Sequence, residues 1–267
     1  MSETINVMLA GPRGKMGTEA LKMIDETNNF QLVGCIDRKH NGQLVSEVDG
    51  LPNLNAPIYT DAEEAFERLN ADVFIDLTNP ETGFKHTKLA LHNHIRPVIG
   101  TSGFSDGQLD ELKKLSHNQQ TGVVIAPNFA IGAVLMMRFS QMAAKYFPNV
   151  EIIEKHHDEK LDAPSGTAVK TAQLIKEVRD SMKQGHPDEH ETIAGARGAD
   201  IDGMHVHSVR LPGFIAQQEV IFGQSGQTLT IQHNSTDRKS FMSGVKFAVE
   251  EVMKIDHFVY GLENLME

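Results

Sequence analysis

Short apolar runs alternate with helical patterns along the first half of the chain. Ile5-Asn6-Val7-Met8-Leu9-Ala10 is the first run. It stops at Gly11-Pro12-Arg13-Gly14, after which Met16, Ala20, Leu21 and Ile24 recur at helical spacing. Gln31 to Ile36, Val73 to Leu77, Pro97 to Ile99 and Gly122 to Ala126 are further short runs of the kind that buried strands show. Between them the pattern predicts three helices. One opens at Asp61 with Glu64 three residues on, one lies near Thr82 to Asn93, and one opens at Ser105 with Gln108 three residues on. The Asp61 and Ser105 openings resemble capping boxes, in which two side chains satisfy otherwise unpaired amides. Strands alternating with helices of this length predict βαβ units, that is, an α/β domain with a doubly wound parallel sheet.

After Asn128 the rhythm changes. Ile131 to Phe147 reads as a Met- and Ala-rich helix, Val150 to Glu154 as a strand, and Gly166 to Ser181 as a helix. Met182 to Ile201 carries Gly, His, Asp and Glu with no apolar period and is expected to be a long exposed loop. Met204 to Leu211, Gln218 to Phe222 and Thr228 to His233 then read as strands without intervening helices, which predicts antiparallel pairing. Ser240 to Lys254 returns to helix. The shift near Pro127-Asn128 marks the expected domain boundary: an α/β domain before it and a smaller α+β domain with an open mixed sheet after it.

Composition narrows the class. The chain has 267 residues, 40% hydrophobic and 23% charged, an ordinary globular mix that excludes a disordered or collagenous chain. At roughly 100–200 residues per domain, two domains fit the length. Lys and Arg number 25 against 36 Asp and Glu, a net charge of −11, which argues against a nucleic-acid partner or an anionic membrane surface. Cys35 is the only cysteine, so a Cys-based zinc site is excluded and a reducing compartment is expected. Met1 to Ala10 lacks the basic and long apolar regions of a signal peptide, and no apolar run approaches roughly 18 residues. The expected location is the cytoplasm.

Two regions carry candidate chemistry. Gly11, Gly14 and Gly17 are spaced G-x-x-G-x-x-G between a strand and a helix, where missing side chains let the backbone approach a pyrophosphate and free amides meet its charge. Asp37 closes the next strand 20 residues after Gly17, the place from which an acid bonds a ribose 2′-hydroxyl. Arg38 beside it can accept a 2′-phosphate, so both NADH and NADPH fit the pair. The polar strand ends Leu77-Thr78-Asn79-Pro80, Gly100-Thr101-Ser102-Gly103 and Ala126-Pro127-Asn128-Phe129 are expected to line the rest of a cofactor crevice.

The second region is Glu154 to Thr167. His156, His157 and Lys160 follow a strand, and Ser165-Gly166-Thr167 opens a helix. Helix amides and Lys160 suit a carboxylate, and an imidazole suits proton transfer. The same residues could be a solvated charged loop, or His156, His157, His205, His207 and His233 could converge on a metal. With no cysteine among them and no H-x-x-x-H helix, no metal is expected.

The string His156-His157-x-x-Lys160-x-Asp162-Ala163-Pro164-Ser165-Gly166-Thr167-Ala168 resembles the signature of the 4-hydroxy-tetrahydrodipicolinate (dihydrodipicolinate) reductases. The likeness extends to Gly11–Gly17, Gly100 to Gly103, Ala126 to Ala130, His207 to Gly213, Glu219 to Gly223 and Arg238 to Phe241. It implies a Rossmann-like domain over 1–128 and 240–267, and a substrate-binding and oligomerisation domain over 129–239. It further implies NADPH or NADH held by Gly11, Pro12, Arg13, Gly14, Lys15, Met16, Asp37, Arg38, Gly100, Thr101, Ser102, Ala126, Pro127, Asn128 and Phe129. Its substrate is a small cyclic dicarboxylate of lysine and diaminopimelate biosynthesis, with His156 as proton donor and Lys160 as second acid. His157, Ser165, Gly166 and Thr167 hold that substrate, and the assembly is a homotetramer. Lys15 stands where many relatives have Arg, Asp37 where Glu is common, and Gln217 where a His is expected. The competing readings are an aspartate-type dehydrogenase, which would not need the long His156-to-Ala168 string, and a non-catalytic nucleotide sensor, against which intact His156 and Lys160 argue.

Overall fold

The computed structural model describes residues 3–101 and 103–266. In chain order the elements are β1 Ile5–Ala10, α1 Lys15–Glu26, β2 Phe30–Ile36, β3 Ile58–Tyr59, α2 Ala62–Arg68, β4 Val73–Asp76, α3 Pro80–His92, β5 Arg96–Ile99, α4 Asp106–Gln119 and β6 Val123–Ile125. Then follow α5 Ile131–Ala144, β7 Asn149–His156, α6 Gly166–Lys176, β8 Ala199–Ile201, β9 Met204–Arg210, β10 Ala216–Gln224, β11 Gln227–Ser235, α7 Met242–Val252 and β12 Phe258–Tyr260. The chain divides into two compact units, Met1–Phe129 with Phe241–Glu267, and Ala130–Ser240.

The first unit holds a seven-stranded sheet in the order β12-β6-β5-β4-β1-β2-β3, parallel at every pairing. Its central strands are buried on both faces, which explains why they read as continuous apolar runs instead of alternating ones. Met8, Phe74 and Ile99 form a core with Phe66 of α2, Leu91 of α3 and Leu112 of α4. Helices α1 and α7 pack on each other and on strands of the same sheet.

Local signals set the helix starts. Ser105 and Gln108 form the expected reciprocal box, with Gln108 N donating to Ser105 Oγ at 3.3 Å and Ser105 N to Gln108 Oε1 at 2.9 Å. Asp61 accepts from Glu63 N and Glu64 N, but Glu64 turns to Arg68 at 3.1 Å instead of back to the cap. Helix α3 starts at Pro80, two residues before the expected Thr82, because Asn79 caps it through Thr82 N and proline suits the first helical position. Strands β3 and β12 are too short for periodicity to reveal; each is recruited by a neighbour in the sheet.

The second unit holds a five-stranded sheet in the order β11-β10-β7-β9-β8, and α5 and α6 pack together against it. The expected antiparallel pairing holds for β10 with β11. It fails for β9 with β10, because β7 inserts between them, parallel to β9 and antiparallel to β10. The expected long loop also ends early. Ala199–Ile201 is strand β8, joined to β9 by Asp202-Gly203 with φ of 58° and 77°. That is the two-residue Asp-Gly turn that hairpins favour, a signal present in the sequence. The loop is not wholly exposed either: Gln184 is buried, accepting from Val150 N at 2.9 Å and donating to Val150 O at 2.8 Å. No helix among the described residues is long and apolar enough to cross a membrane.

Candidate functional site

In the first unit Gly11, Gly14 and Gly17 form a tight turn between β1 and α1. Gly11 has φ +82°, a conformation that favours glycine, and its amide donates to Ile36 O at 3.0 Å while Gly14 N donates back to Gly11 O at 3.1 Å. A Cβ on Gly17 would lie 1.9 Å from Gly11 O, so only glycine lets α1 pack this close to the turn. Gly14 is the N-cap and provides no side-chain cap, leaving the first amides of α1 for a ligand oxygen. Strand β1 lies between β2 and β4, the point at which the strand order reverses and where doubly wound sheets bind ligands. A cavity of about 440 Å³ opens there, lined by Gly11, Arg13, Gly14, Asp37, Arg38 and Thr78 among others.

Asp37 does not stand alone at the end of β2. Arg13 Nε and Nη2 donate to its Oδ1 at 3.0 and 2.6 Å, and Lys39 N donates to the same oxygen at 3.0 Å. Arg38 and Lys15 are exposed, and Pro12 is buried. The three strand ends lie together: a Cβ on Gly100 would touch both Leu77 and Phe129 side chains, at 2.6 and 2.9 Å. Thr101, Ala126 and Phe129 are buried, Met16 and Asn128 are half-buried, and Pro127 is exposed. Ser102 lies outside the described residues. Sequence reasoning overlooked Asp76, a fully buried carboxylate that accepts from Thr78 N, Thr78 Oγ1 and His86 Nδ1 at 2.9, 2.6 and 2.8 Å.

The second region is assembled from the end of β7, the loop after it, the start of α6 and the end of β9. His156 is the last residue of β7, and its Nδ1 donates to Glu154 Oε2 at 2.5 Å. Lys160 Nζ donates to Asp162 Oδ1 at 2.6 Å, an ammonium held by a carboxylate that is itself mostly exposed. Ser165 is buried and caps α6 by accepting from Ala168 N at 3.2 Å, so its hydroxyl already has a structural task. Gly166, the first residue of α6, is exposed, and a Cβ there would meet no atom within 4 Å. Thr167 is half-buried beside it. His157 Nδ1 is buried without a hydrogen-bond partner among the described residues. The other histidines are dispersed: His207 Nε2 bonds Glu151 at 2.8 Å, and the His233 ring lies against Gly132.

In this region sequence reasoning passed over the pairing of Glu154 with Arg210. Arg210 Nη1 and Nη2 donate to the two oxygens of Glu154 at 2.8 and 2.7 Å, and Ser165 N donates to Oε1 at 3.2 Å. Burial pushes the Glu154 carboxyl up, but the hydrogen bonds from His156, Arg210 and Ser208 outweigh it and hold it down to about 2. A signal was available. Val150, Ile152 and Glu154 alternate on the buried face of β7, and a charge at such a position has to be paired. Chemically, the region offers an imidazole with one nitrogen anchored, an ammonium, and a helix start open to a small anion.

Both parts of the chain match known proteins. Residues 5–129 match the family model of the dihydrodipicolinate reductase N-terminus, and residues 132–266 that of the dihydrodipicolinate reductase C-terminus. A 4-hydroxy-tetrahydrodipicolinate reductase of Oceanobacillus iheyensis is 62% identical over 98% of this chain and 99% of its own length. That of Geobacillus kaustophilus is 61% identical over 99% of this chain and all of its own. Among solved structures, a dipicolinate-bound dihydrodipicolinate reductase from Paenisporosarcina sp. TG-14 superposes with a TM-score of 0.90 at 54% identity, covering 98% of this chain and 100% of the other.

Proposed function

The chain belongs to the dihydrodipicolinate reductase family, and on that premise we propose that it reduces 4-hydroxy-tetrahydrodipicolinate to tetrahydrodipicolinate with NADH or NADPH, in lysine and diaminopimelate biosynthesis. The observation that carries the reading to this chain's own residues is the hydrogen-bond network by which Glu154 and Arg210 tie together His156, the start of α6 at Ser165 and the Lys160 loop at Asp162. A small cyclic dicarboxylate needs cationic and amide contacts for its carboxylates and an acid for one ring carbon.

Once the C4 hydroxyl has left as water to give the conjugated ring, the bound dihydronicotinamide would supply hydride to C4. Gly11, Pro12, Arg13, Gly14, Lys15 and Met16 hold its pyrophosphate side, Asp37 and Arg38 the ribose, and Gly100 to Ser102 with Ala126 to Phe129 the nicotinamide end. The fit rests on the Gly11–Gly17 turn, whose close packing against α1 any Cβ at Gly17 would break. His156 gives a proton to the neighbouring ring carbon. Lys160 serves as second acid and pairs with a substrate carboxylate in exchange for Asp162. His157, Gly166 and Thr167 hold the substrate, with Ser165 fixing the helix start behind them. As negative charge builds on the conjugated ring, the Lys160 ammonium and the α6 amides stabilise it without reorganising.

The reading includes a cytoplasmic homotetramer formed through the sheet of the second unit. It is supported by β11, a nine-residue edge strand that is exposed along most of its length.

The test follows the loss of reduced nicotinamide absorbance while dihydrodipicolinate synthase supplies the substrate. Oxidation of NADH or NADPH that depends on the synthase product is expected. His156→Ala and Lys160→Ala are each expected to cut kcat roughly 10²–10⁴-fold with the fold intact. Near-normal turnover in either variant removes that residue from the mechanism.

A further inference from the structure

Glu154 is fully buried, yet it is bound by groups that reach it from different parts of the second unit, the Ser208 side chain of β9 among them. His156 Nδ1 comes from two residues along β7, the Arg210 guanidinium from the end of β9, and the Ser165 amide from the cap of α6. Arg210 Nη2 also donates to Asp162 O at 2.7 Å, so the same guanidinium fixes the loop that carries Lys160. The charged groups around the pair are few. Arg210 faces it from β9, and the loop presents Lys160 bonded to Asp162. On β10 the residues in register with 154 and 156 are Gln218 and Ala216, which do not titrate.

We propose that Glu154, locked by Arg210, is a positioning residue that keeps the Nδ1 proton on His156 and so makes Nε2 the atom that transfers the proton. The proposal rests on the reading of His156 as proton donor. In the transfer, the Nε2–H bond breaks and its electron pair stays on the ring. The proton joins the substrate carbon, and the imidazole is left neutral with its proton on Nδ1, facing Glu154. Water then returns the proton to Nε2. Arg210 balances the carboxylate's charge, so the chief effect of Glu154 on the ring is that of a fixed acceptor: it decides which nitrogen is free.

Glu154→Gln makes this testable because the amide must place its NH₂ somewhere. At the Oε1 position it would face two donors that cannot adapt, Ser165 N and Arg210 Nη2. At the Oε2 position it faces Arg210 Nη1 and His156 Nδ1, and the imidazole can yield by moving its proton to Nε2. The variant is therefore expected to hold neutral His156 in the opposite tautomer.

The experiment is ¹⁵N NMR of the full-length protein with ring-labelled histidine, His156 being assigned by its loss in His156→Asn, together with pH profiles of kcat. Wild type is expected to show neutral His156 with the proton on Nδ1; Glu154→Gln is expected to show it on Nε2. The variant's kcat should fall roughly 10²-fold or more, as when a catalytic histidine is left in the wrong tautomer. Its KM for the dicarboxylate should change less than about threefold, and the basic limb of kcat should move to lower pH. Glu154→Asp, which keeps a carboxylate, is expected to retain the wild-type tautomer and part of the rate. A wild-type His156 protonated on Nε2, or a Glu154→Gln enzyme with unchanged tautomer and pH profile, overturns the proposal. The wild-type spectrum decides it even if the variant does not fold, and it does so independently of turnover. Loss of the His156 role itself is read separately, from a His156→Ala enzyme that still turns over.

Discussion

Arg13 and Asp37, 24 residues apart, are joined by two hydrogen bonds onto one carboxylate oxygen, Oδ1, with the Asp37 side chain only 6% exposed. The pair ties the glycine turn to the end of β2 and leaves Asp37 Oδ2 as the oxygen that can meet a ribose hydroxyl. The neighbouring carboxylate also raises Arg13 above its ordinary value, chiefly through the hydrogen bond, so the guanidinium stays charged and offsets Asp37.

That offset bears on cofactor choice. An uncompensated carboxylate repels a 2′-phosphate, while Arg38 beside it attracts one. Arg13→Ala and Arg38→Ala are each expected to weaken NADPH more than NADH, by several-fold or more in KM. Equal losses for both cofactors would mean that these side chains act on parts that the two cofactors share.

The two glycine positions should part company under the same substitution. Gly17→Ala forces a Cβ to within 1.9 Å of Gly11 O, a backbone atom that cannot step aside, and is expected to destabilise the protein by roughly 1–3 kcal/mol or more. Gly166→Ala meets nothing, so its thermal midpoint should hold while KM for the dicarboxylate rises about tenfold from the methyl placed at the helix start. Melting curves alongside KM values check both; a stable Gly17→Ala protein with normal cofactor binding would refute the cradle.

Acid should loosen the second unit through Glu154. Its folded value of about 2 lies below the usual 4.5, so the stabilisation is complete above pH 4.5 and is lost as pH falls toward 2. A difference of this size corresponds to something on the order of 3 kcal/mol. Urea midpoints between pH 2 and 5 should therefore fall less steeply in Glu154→Gln than in wild type, with Glu151 and Asp162, also held low, accounting for part of the remaining slope. Parallel slopes would show that Glu154 does not titrate with unfolding.

Cys35 should be inert while the protein is folded. It is fully buried in β2, and burial, reinforced by the nearby Asp37 charge, pushes its thiol well above the usual range. A disulfide reagent is expected to label it only in denaturant. Rapid stoichiometric labelling of the native protein would contradict the packing of β2 against β1.

Legibility followed sequence distance. The glycine turn, the Ser105 box and the strand ends depend on neighbours within a few residues, and each was readable from residue type and spacing. The pairing of β7 between β9 and β10 was not, because alternation states that a strand has a buried face without stating which strand lies beside it. Arg13 with Asp37 was half-readable: both residues were candidates, but their bond joins two loops that only the adjacency of β1 and β2 brings together.

The amino-acid sequence by itself determined the alternation of strands and helices, the glycine cradle, and the run from His156 to Thr167 that marks the family, since all of these are local in backbone conformation and chemistry. Tertiary structure decided what those residues are attached to. It set Arg210 of β9 on Glu154 of β7, 56 residues away; the carboxylate of that pair anchors His156 and Ser165, and its guanidinium holds Asp162. A buried carboxylate is tolerable only where its donors converge, and convergence belongs to the sheet as a whole, not to any one segment of the chain.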